Sequence, residues 1–280
     1  VSAHFGAIMS LQVLGFCGAD DSVDPRLLVT IANQYPWIEW GVLFRPDLEG
    51  KPRYASPAWV EQLSQARQQL GSGTTLLAAH LCSTRVDEVL RGETGFVSRL
   101  QRLGFRRIQV NATAVNGVDM SLVNSPDAAT NILFVIKAFP HIEFILQRND
   151  QTRPVWEPVL REGAPANVSL LFDESMGTGK ASAQFPQALK GIRCGYAGGL
   201  GPSNIKEMVP AILPLAEGRD DVWVDMESSL RTVTADSNDV FDISKCFACA
   251  MAVVDLGIKS GGLASETHAP SLKRSRTPAD

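Results

Sequence analysis

The sequence predicts an α/β fold of the (β/α)₈ TIM-barrel type, built as a single domain. Short apolar runs alternate with longer amphipathic ones along the 280 residues, which indicates parallel strands joined by helices. Eight such units in roughly 250 residues suit a closed barrel better than an open sheet. No Gly-x-Gly-x-x-Gly motif follows the first predicted strand, which disfavours a dinucleotide-binding fold.

The predicted strands are mostly continuous apolar stretches, as expected where both faces of a strand are buried. In chain order they are Leu11–Phe16, Ile38–Phe44, Thr75–Leu81, Arg107–Asn111, Ile142–Gln147, Val168–Asp173, Arg193–Ala197 and Val222–Met226.

Helical patterns lie between these strands. The pattern over Pro57–Leu70 is typical, because Ser56 precedes a proline in the first turn and apolar residues recur on one face. The other predicted helices are Thr84–Leu90, Gly95–Leu103, Asp127–Ala138, Pro202–Leu215 and Ile243–Leu256. We expect the barrel to occupy residues 10–262, after a flexible leader at 1–9 and before a disordered polar tail at 263–280.

Composition restricts the function classes. The net charge of -4 gives no support to a nucleic-acid partner, and no apolar run approaches the ~18 residues of a membrane span. We therefore expect a cytoplasmic protein with reduced cysteines that contacts neither nucleic acid nor membrane and is a monomer or a homodimer. The four histidines lack metal-ligand spacing, and the Cys246/Cys249 pair lies in an apolar helical stretch, so no metal is predicted.

Chemistry-bearing residues follow three of the predicted strands. Cys17 can act as base or nucleophile at the barrel mouth, or be a small apolar residue that covers the barrel interior. Asp173 ends an apolar strand, where partial burial suits a general acid, although it can also cap the next loop. Gly198 and Gly199 lead into a predicted helix whose free N–H groups can bind an anion, or form a tight turn without a ligand.

Two further features add weaker indications. Met176-Gly177-Thr178-Gly179-Lys180 follows the sixth strand and offers two glycines and a positive charge, but it lacks Walker A spacing. Arg53 follows the second strand and suits a carboxylate ligand, although a surface arginine is the simpler interpretation.

In order, these motifs resemble the phosphoribosylanthranilate isomerase family across most of the barrel. The family's Ile-Cys-Gly, Arg-Tyr-Ile-Ser, Val-Gln-Leu-His, Leu-Leu-Leu-Asp and Gly-Gly-Leu-x-Pro-x-Asn-Val correspond here to Phe16-Cys17-Gly18, Arg53-Tyr54-Ala55-Ser56, Ile108-Gln109-Val110-Asn111, Leu170-Leu171-Phe172-Asp173 and Gly198-Gly199-Leu200-Gly201-Pro202-Ser203-Asn204-Ile205.

The resemblance implies a cofactor-independent Amadori ketol-isomerase of tryptophan biosynthesis that acts on an N-linked phosphoribosyl amine, with a small phosphorylated sugar as its partner molecule. It implies Cys17 as general base and Asp173 as general acid. Arg53 would bind the anthranilate carboxylate. Gln109, Asn111 and Asp225 would also bind substrate, and Gly177, Gly179, Gly198, Gly199 and Ser228 would bind the phosphate.

The chain departs from the family at the anion site. The family's Val-Asp-Val-Ser-Ser-Gly-Val-Glu is Val-Asp-Met-Glu-Ser-Ser-Leu-Arg here, so Glu227 replaces a serine and Ser229 a glycine, while Asn111 replaces a histidine. A carboxylate beside a phosphate dianion costs roughly 1–4 kcal/mol unless it is screened. We therefore expect Glu227 to turn away or to pair with Arg231 or Lys180. The alternative function is a diverged barrel that binds ligand without catalysis or with another specificity.

Overall fold

The computed structural model describes residues 11–71, 73, 75–173, 185–216 and 221–259. Its centre is a closed barrel of eight parallel strands in sequential order, which confirms the predicted fold class. The strands are β1 (Leu11–Cys17), β2 (Ile38–Phe44), β3 (Leu76–Leu81), β4 (Arg107–Val110), β5 (Glu143–Arg148), β6 (Val168–Asp173), β7 (Arg193–Ala197) and β8 (Val222–Met226).

Helices surround the barrel. They are α1 (Pro25–Gln34), α2 (Pro57–Leu70), α3 (Thr84–Leu90), α4 (Gly95–Leu103), α5 (Met120–Val123), α6 (Ala128–Ala138), α7 (Arg153–Arg161), α8 (Ile205–Ile212) and α9 (Ile243–Asp255). A two-stranded antiparallel hairpin, β9 (Arg231–Val233) and β10 (Asp239–Phe241), follows β8. Helices α1, α5 and α7 and the hairpin were not among the elements predicted from the sequence.

The start of α8 lies three residues later than predicted. The backbone N–H of Ile205 donates to Gly201 O at 2.9 Å, and the side chain of Asn204 is hydrogen-bonded within the preceding loop. The glycine-rich stretch is therefore a loop that ends at Asn204, and α8 begins at Ile205.

The N-terminal end of the barrel is filled by a buried network of charges. Arg107 Nη1 donates to Glu39 Oε1 at 2.6 Å, and Arg107 Nε donates to Glu143 Oε2 at 3.0 Å. Arg193 also donates to Glu143. The guanidinium groups of Arg107 and Arg193 lie 4.5 and 4.8 Å from the Trp223 ring centroid. Each of these residues is at or near the start of its strand, so the network closes the end opposite the strand C-termini.

The cysteines are buried and form no disulfide. Cys246 and Cys249 lie on the buried face of α9, as the apolar pattern predicted. Within the described parts of the chain, no group of three or more histidine, cysteine or carboxylate residues is arranged to hold a metal ion. In the same residues, no helix has the length and apolar character needed to cross a bilayer.

Candidate active site

A cavity of about 460 Å³ opens among the C-terminal ends of the strands. Its wall contains eight of the residues that the sequence marked: Arg53, Gln109, Asn111, Asp173, Gly198, Gly199, Asp225 and Ser228. Gly177 and Gly179 lie outside the described residues. Tyr54, Gln147, Glu227 and Ser229 complete much of the polar lining.

Cys17 lies beneath this wall. Its side chain has 0% exposure, and its Sγ is 3.2 Å from His80 Nδ1. Burial is the main reason that the pKa of the Cys17 thiol is well above its usual value, and the charges of Glu227 and Asp225 add to the effect. The thiol therefore keeps its proton in this environment, with His80 Nδ1 as its hydrogen-bond partner.

His80 is a neutral imidazole in this environment. Burial, together with the positive charge of Arg107, lowers its pKa to about 3. Its Nδ1 lies 4.0 Å from Asp225 Oδ2, and this contact is a weak polar one because an ion pair would need the protonated ring. With the ring proton on Nε2, Nδ1 accepts a hydrogen bond from the thiol of Cys17.

Two glycines make room for this interior cluster. A Cβ on Gly41 would lie 2.9 Å from both Cys17 Cα and His80 Nε2. A Cβ on Gly15 would lie 2.6 Å from Asp225 Oδ1. The cluster of Cys17, His80 and Asp225 therefore depends on the absence of side chains from β1 and β2 at these positions.

Asp173 is the last residue of β6 and forms part of the cavity wall. It is 5% exposed, and Gln147 Nε2 of β5 donates to its Oδ2 at 3.3 Å. A hydrogen bond from a neighbouring strand fixes the carboxyl group where a ligand can contact it. This position suits the general acid predicted from the sequence.

The two polar residues from the β4 region hold each other in place. Gln109 Nε2 donates to Asn111 Oδ1 at 2.8 Å, and Asn111 Nδ2 lies 3.6 Å from Cys82 Sγ. Both residues line the cavity, so their remaining polar atoms can contact a hydroxylated ligand.

Arg53 and Glu227 form an ion pair across the mouth. Arg53 Nη1 donates to Glu227 Oε1 at 2.9 Å and to Ser228 Oγ at 3.4 Å. Burial raises the pKa of Glu227, while the charge of Arg53 opposes that rise. The expectation that Glu227 pairs with Arg231 was wrong, because the Arg231 guanidinium is held by Asp20 at 2.8 Å and Asp239 at 2.7 Å. Lys180, the other expected partner, lies outside the described residues.

The glycine loop after β7 has the backbone geometry that only glycine adopts easily. Gly198 and Gly199 have φ values of 116° and 67°. Asn204 stabilises the loop, since its side chain accepts from Gly201 N and donates to Gly199 O, both at 2.9 Å. Ser229, where the family has glycine, donates to Leu200 O and occupies the space beside Gly201. The loop is thus braced by this chain's own side chains.

Sequence reasoning missed three residues of this region: His80, Gln147 and Tyr54. His80 and Gln147 are polar residues within apolar strands, and this was the available signal. A histidine buried in a barrel strand needs a polar partner, but the chain pattern does not identify that partner. Tyr54 belongs to the Arg53 motif, but its residue type alone predicts no role.

No protein-family model and no curated protein matches the chain. Among solved structures, KGPDC from Streptococcus mutans is 14% identical, with 88% of this chain and 99% of that chain covered, at a TM-score of 0.45. UMP synthase from Leishmania donovani is 11% identical, with 90% and 54% covered, at 0.44. A Rubisco-like protein from Rhodopseudomonas palustris is 12% identical, with 89% and 65% covered, at 0.45.

At these identities and TM-scores the likenesses carry no argument about the chemistry of this chain. The resemblance to the phosphoribosylanthranilate isomerase family rests on the sequence motifs alone.

Proposed function

We propose that this protein is a ketol-isomerase that carries out an Amadori rearrangement on a phosphoribosyl amine bound in the barrel mouth. The observation that supports this most is Asp173. Its carboxyl group is buried, is held by Gln147, and belongs to the wall of a cavity large enough for a phosphorylated sugar. The glycine loop at Gly198 and Gly199, in the same wall, is the proposed phosphate contact.

In this proposal Asp173 donates its proton to the ring oxygen of the furanose. The bond from C1 to that oxygen then breaks, and the nitrogen lone pair forms an iminium ion with C1. A base next removes the proton from C2, which gives an enaminol, and the enaminol becomes the ketone. Each positioned proton-transfer group contributes ~10²–10⁴ in rate.

Cys17 is the proposed base, with His80 as the acceptor of its thiol proton. Transfer from Sγ to Nδ1, which are 3.2 Å apart, would give a thiolate and an imidazolium, but the raised pKa of the thiol and the lowered pKa of the ring keep the proton on sulfur in the ligand-free protein. The proposal therefore requires substrate binding to change this proton balance, and a deprotonated Asp225, whose Oδ2 lies 4.0 Å from Nδ1, would favour the imidazolium. Because Cys17 is fully covered, this role also requires the side chains above it to move when substrate binds.

That coverage favours a second function, in which the cavity binds a ligand and no isomerisation follows. A base without exposed surface cannot contact the C2 proton of a ligand held in the cavity as it stands. Under this alternative the Cys17–His80 pair is a polar contact of the barrel interior only.

Turnover distinguishes the two functions. The purified protein is incubated with phosphoribosylanthranilate and, in parallel, with the corresponding aniline derivative, which lacks the carboxylate. Proton NMR follows the loss of the anomeric signal as C1 becomes a methylene group. We expect conversion of at least one substrate, and a loss of ~10²-fold or more in kcat for Asp173→Asn and for Cys17→Ala.

Asp127→Asn serves as the matched control, because Asp127 is exposed at the start of α6 and its side chain makes no capping hydrogen bond. Circular dichroism checks that each variant is folded. Absence of turnover for both substrates, together with saturable binding of either, would favour the binding function. Unchanged turnover in one variant would remove that residue from the mechanism.

A further inference from the structure

The Arg53–Glu227 ion pair forms part of the cavity wall. Arg53 lies in the loop after β2, and Glu227 follows β8 directly. The two side chains are 30% and 34% exposed, and both line the cavity. The ion pair therefore lies where an incoming ligand would contact it. It also joins two loops that are distant in the sequence.

The backbone holds Arg53 in this position. Its φ is +81°, in the left-handed region that non-glycine residues seldom adopt. Its N–H donates to Asp20 Oδ2 at 2.5 Å, and Asp20 is itself bound to Arg231. The guanidinium is thus directed at Glu227 by a fixed loop.

The charged residues of the cavity wall determine how the Arg53–Glu227 ion pair affects ligand binding. Asp173, Asp225 and Glu227 supply three carboxyl groups, whereas Arg53 is the single cationic side chain among the wall residues that the structure describes. A ligand carboxylate could reach the guanidinium only by displacing Glu227. The displaced carboxylate would then lose its ion pair, and no other cationic side chain of the described wall residues could replace Arg53 as its partner.

We infer that Glu227 excludes carboxylate-bearing ligands from this wall by occupying Arg53, and that the natural ligand presents an uncharged or cationic group there. This inference rests on the proposed function and narrows it: the amine carried by the phosphoribosyl group lacks a carboxylate at the position facing Arg53. The ion pair also gives Glu227 a role in ligand specificity. The replacement of the family's serine by Glu227 does not by itself define that role.

Two small fluorescent probes test the inference without the sugar. Anthranilate carries a carboxylate, and anthranilamide replaces that carboxylate with a neutral amide of nearly the same size. Their dissociation constants are measured for the wild type, for Glu227→Gln, and for Glu157→Gln as a control, because Glu157 is exposed on α7. Glu227→Gln keeps the side-chain shape but removes the charge that binds Arg53.

We expect the wild type and Glu157→Gln to bind anthranilamide at least ~10-fold more tightly than anthranilate, since a tenfold preference needs only about 1.4 kcal/mol. Glu227→Gln should bind anthranilate about 10-fold more tightly than the wild type does. Its affinity for anthranilamide should change little. Equal anthranilate affinity in the wild type and Glu227→Gln would overturn the inference. So would failure of every protein to bind either probe, since a freed Arg53 would then accept no carboxylate.

The isomerase assay and the probe-binding assay can fail independently of each other. If neither phosphoribosyl substrate is converted and the probe preferences are as expected, the proposed reaction is wrong and the role of Glu227 stands. If the wild type converts phosphoribosylanthranilate with a lower KM than the aniline derivative, the reaction is right and the role of Glu227 is wrong.

Discussion

Asp225 places a carboxyl group inside the barrel, where burial, Glu39 and Glu227 raise its pKa well above the ordinary value. Below about pH 4 the group is protonated in both the folded and the unfolded chain. As the pH rises further, the unfolded chain loses this proton and the folded protein retains it. The wild type is therefore destabilised as the pH rises towards the folded pKa.

Asp225→Asn should remove this dependence, because the amide imitates the protonated acid. We expect the variant to gain stability relative to the wild type as the pH increases above about 4, by up to about 1.4 kcal/mol per pH unit until the pKa of Asp225 in the folded protein is reached. Urea unfolding at each pH measures the difference. A difference that stays constant with pH would show that the carboxyl of Asp225 titrates normally.

At the level of single elements, the contact between β7 and β8 depends on Gly195. Gly195 is paired with Trp223, and a Cβ on Gly195 would overlap the indole ring of Trp223. Gly195→Ala would force the indole away from its contacts with Arg107 and Arg193. We expect a loss of about 1–3 kcal/mol or more in the free energy of unfolding.

Gly95→Ala is the control for that measurement. Gly95 begins α4, and a Cβ there would meet no heavy atom within 4 Å. The Gly95→Ala substitution should leave the free energy of unfolding unchanged or slightly increased. Similar losses in both variants would show that the Trp223 contact is not what constrains Gly195.

The elements that the sequence predicted well are those with one dominant signal. Ile38–Phe44 and Val168–Asp173 were correct at both ends, because burial on both faces leaves a continuous apolar run. Helix α7 was missed because Pro158 lies inside it and proline ordinarily indicates a helix boundary. Helix α1 was missed although Asp24 and Pro25 mark its start.

The site was predictable as a set of residues but not as a set of contacts. The strand ends identified Cys17, Asp173 and the glycine loop, because parallel strands converge on one mouth, and the family resemblance added Asp225. The partner of Glu227 lies 174 residues earlier in the chain, and the partner of Cys17 lies 63 residues later. A single sequence contains no signal that joins such pairs.

At the scale of the whole molecule, the buried charge network and the candidate site lie at opposite ends of the barrel. The charge network of Arg107 closes the N-terminal end, and the cavity occupies the other. Arg107→Met would leave Glu39 and Glu143 buried without this partner. We expect a loss of about 3–5 kcal/mol in the free energy of unfolding.

Arg153→Met provides the comparison, because Arg153 pairs with Asp150 on the surface at 3.0 Å and is 57% exposed. Arg153→Met should lower the free energy of unfolding by less than about 1 kcal/mol. Urea unfolding at neutral pH measures both variants. A loss for Arg107→Met as small as that for Arg153→Met would mean that the network contributes little to holding the barrel closed.

The carboxylate of Asp20 ties together the loops around the mouth. It accepts from Arg53 N and Arg231 Nη2 and from Ser22, and Ser22 Oγ in turn accepts from Phe241 N at 2.9 Å. The segments after β1 and β2 and the β9–β10 hairpin therefore share one anchor. These contacts join the three segments mechanically, so we expect a ligand that shifts Arg53 to transmit force to the hairpin through Asp20.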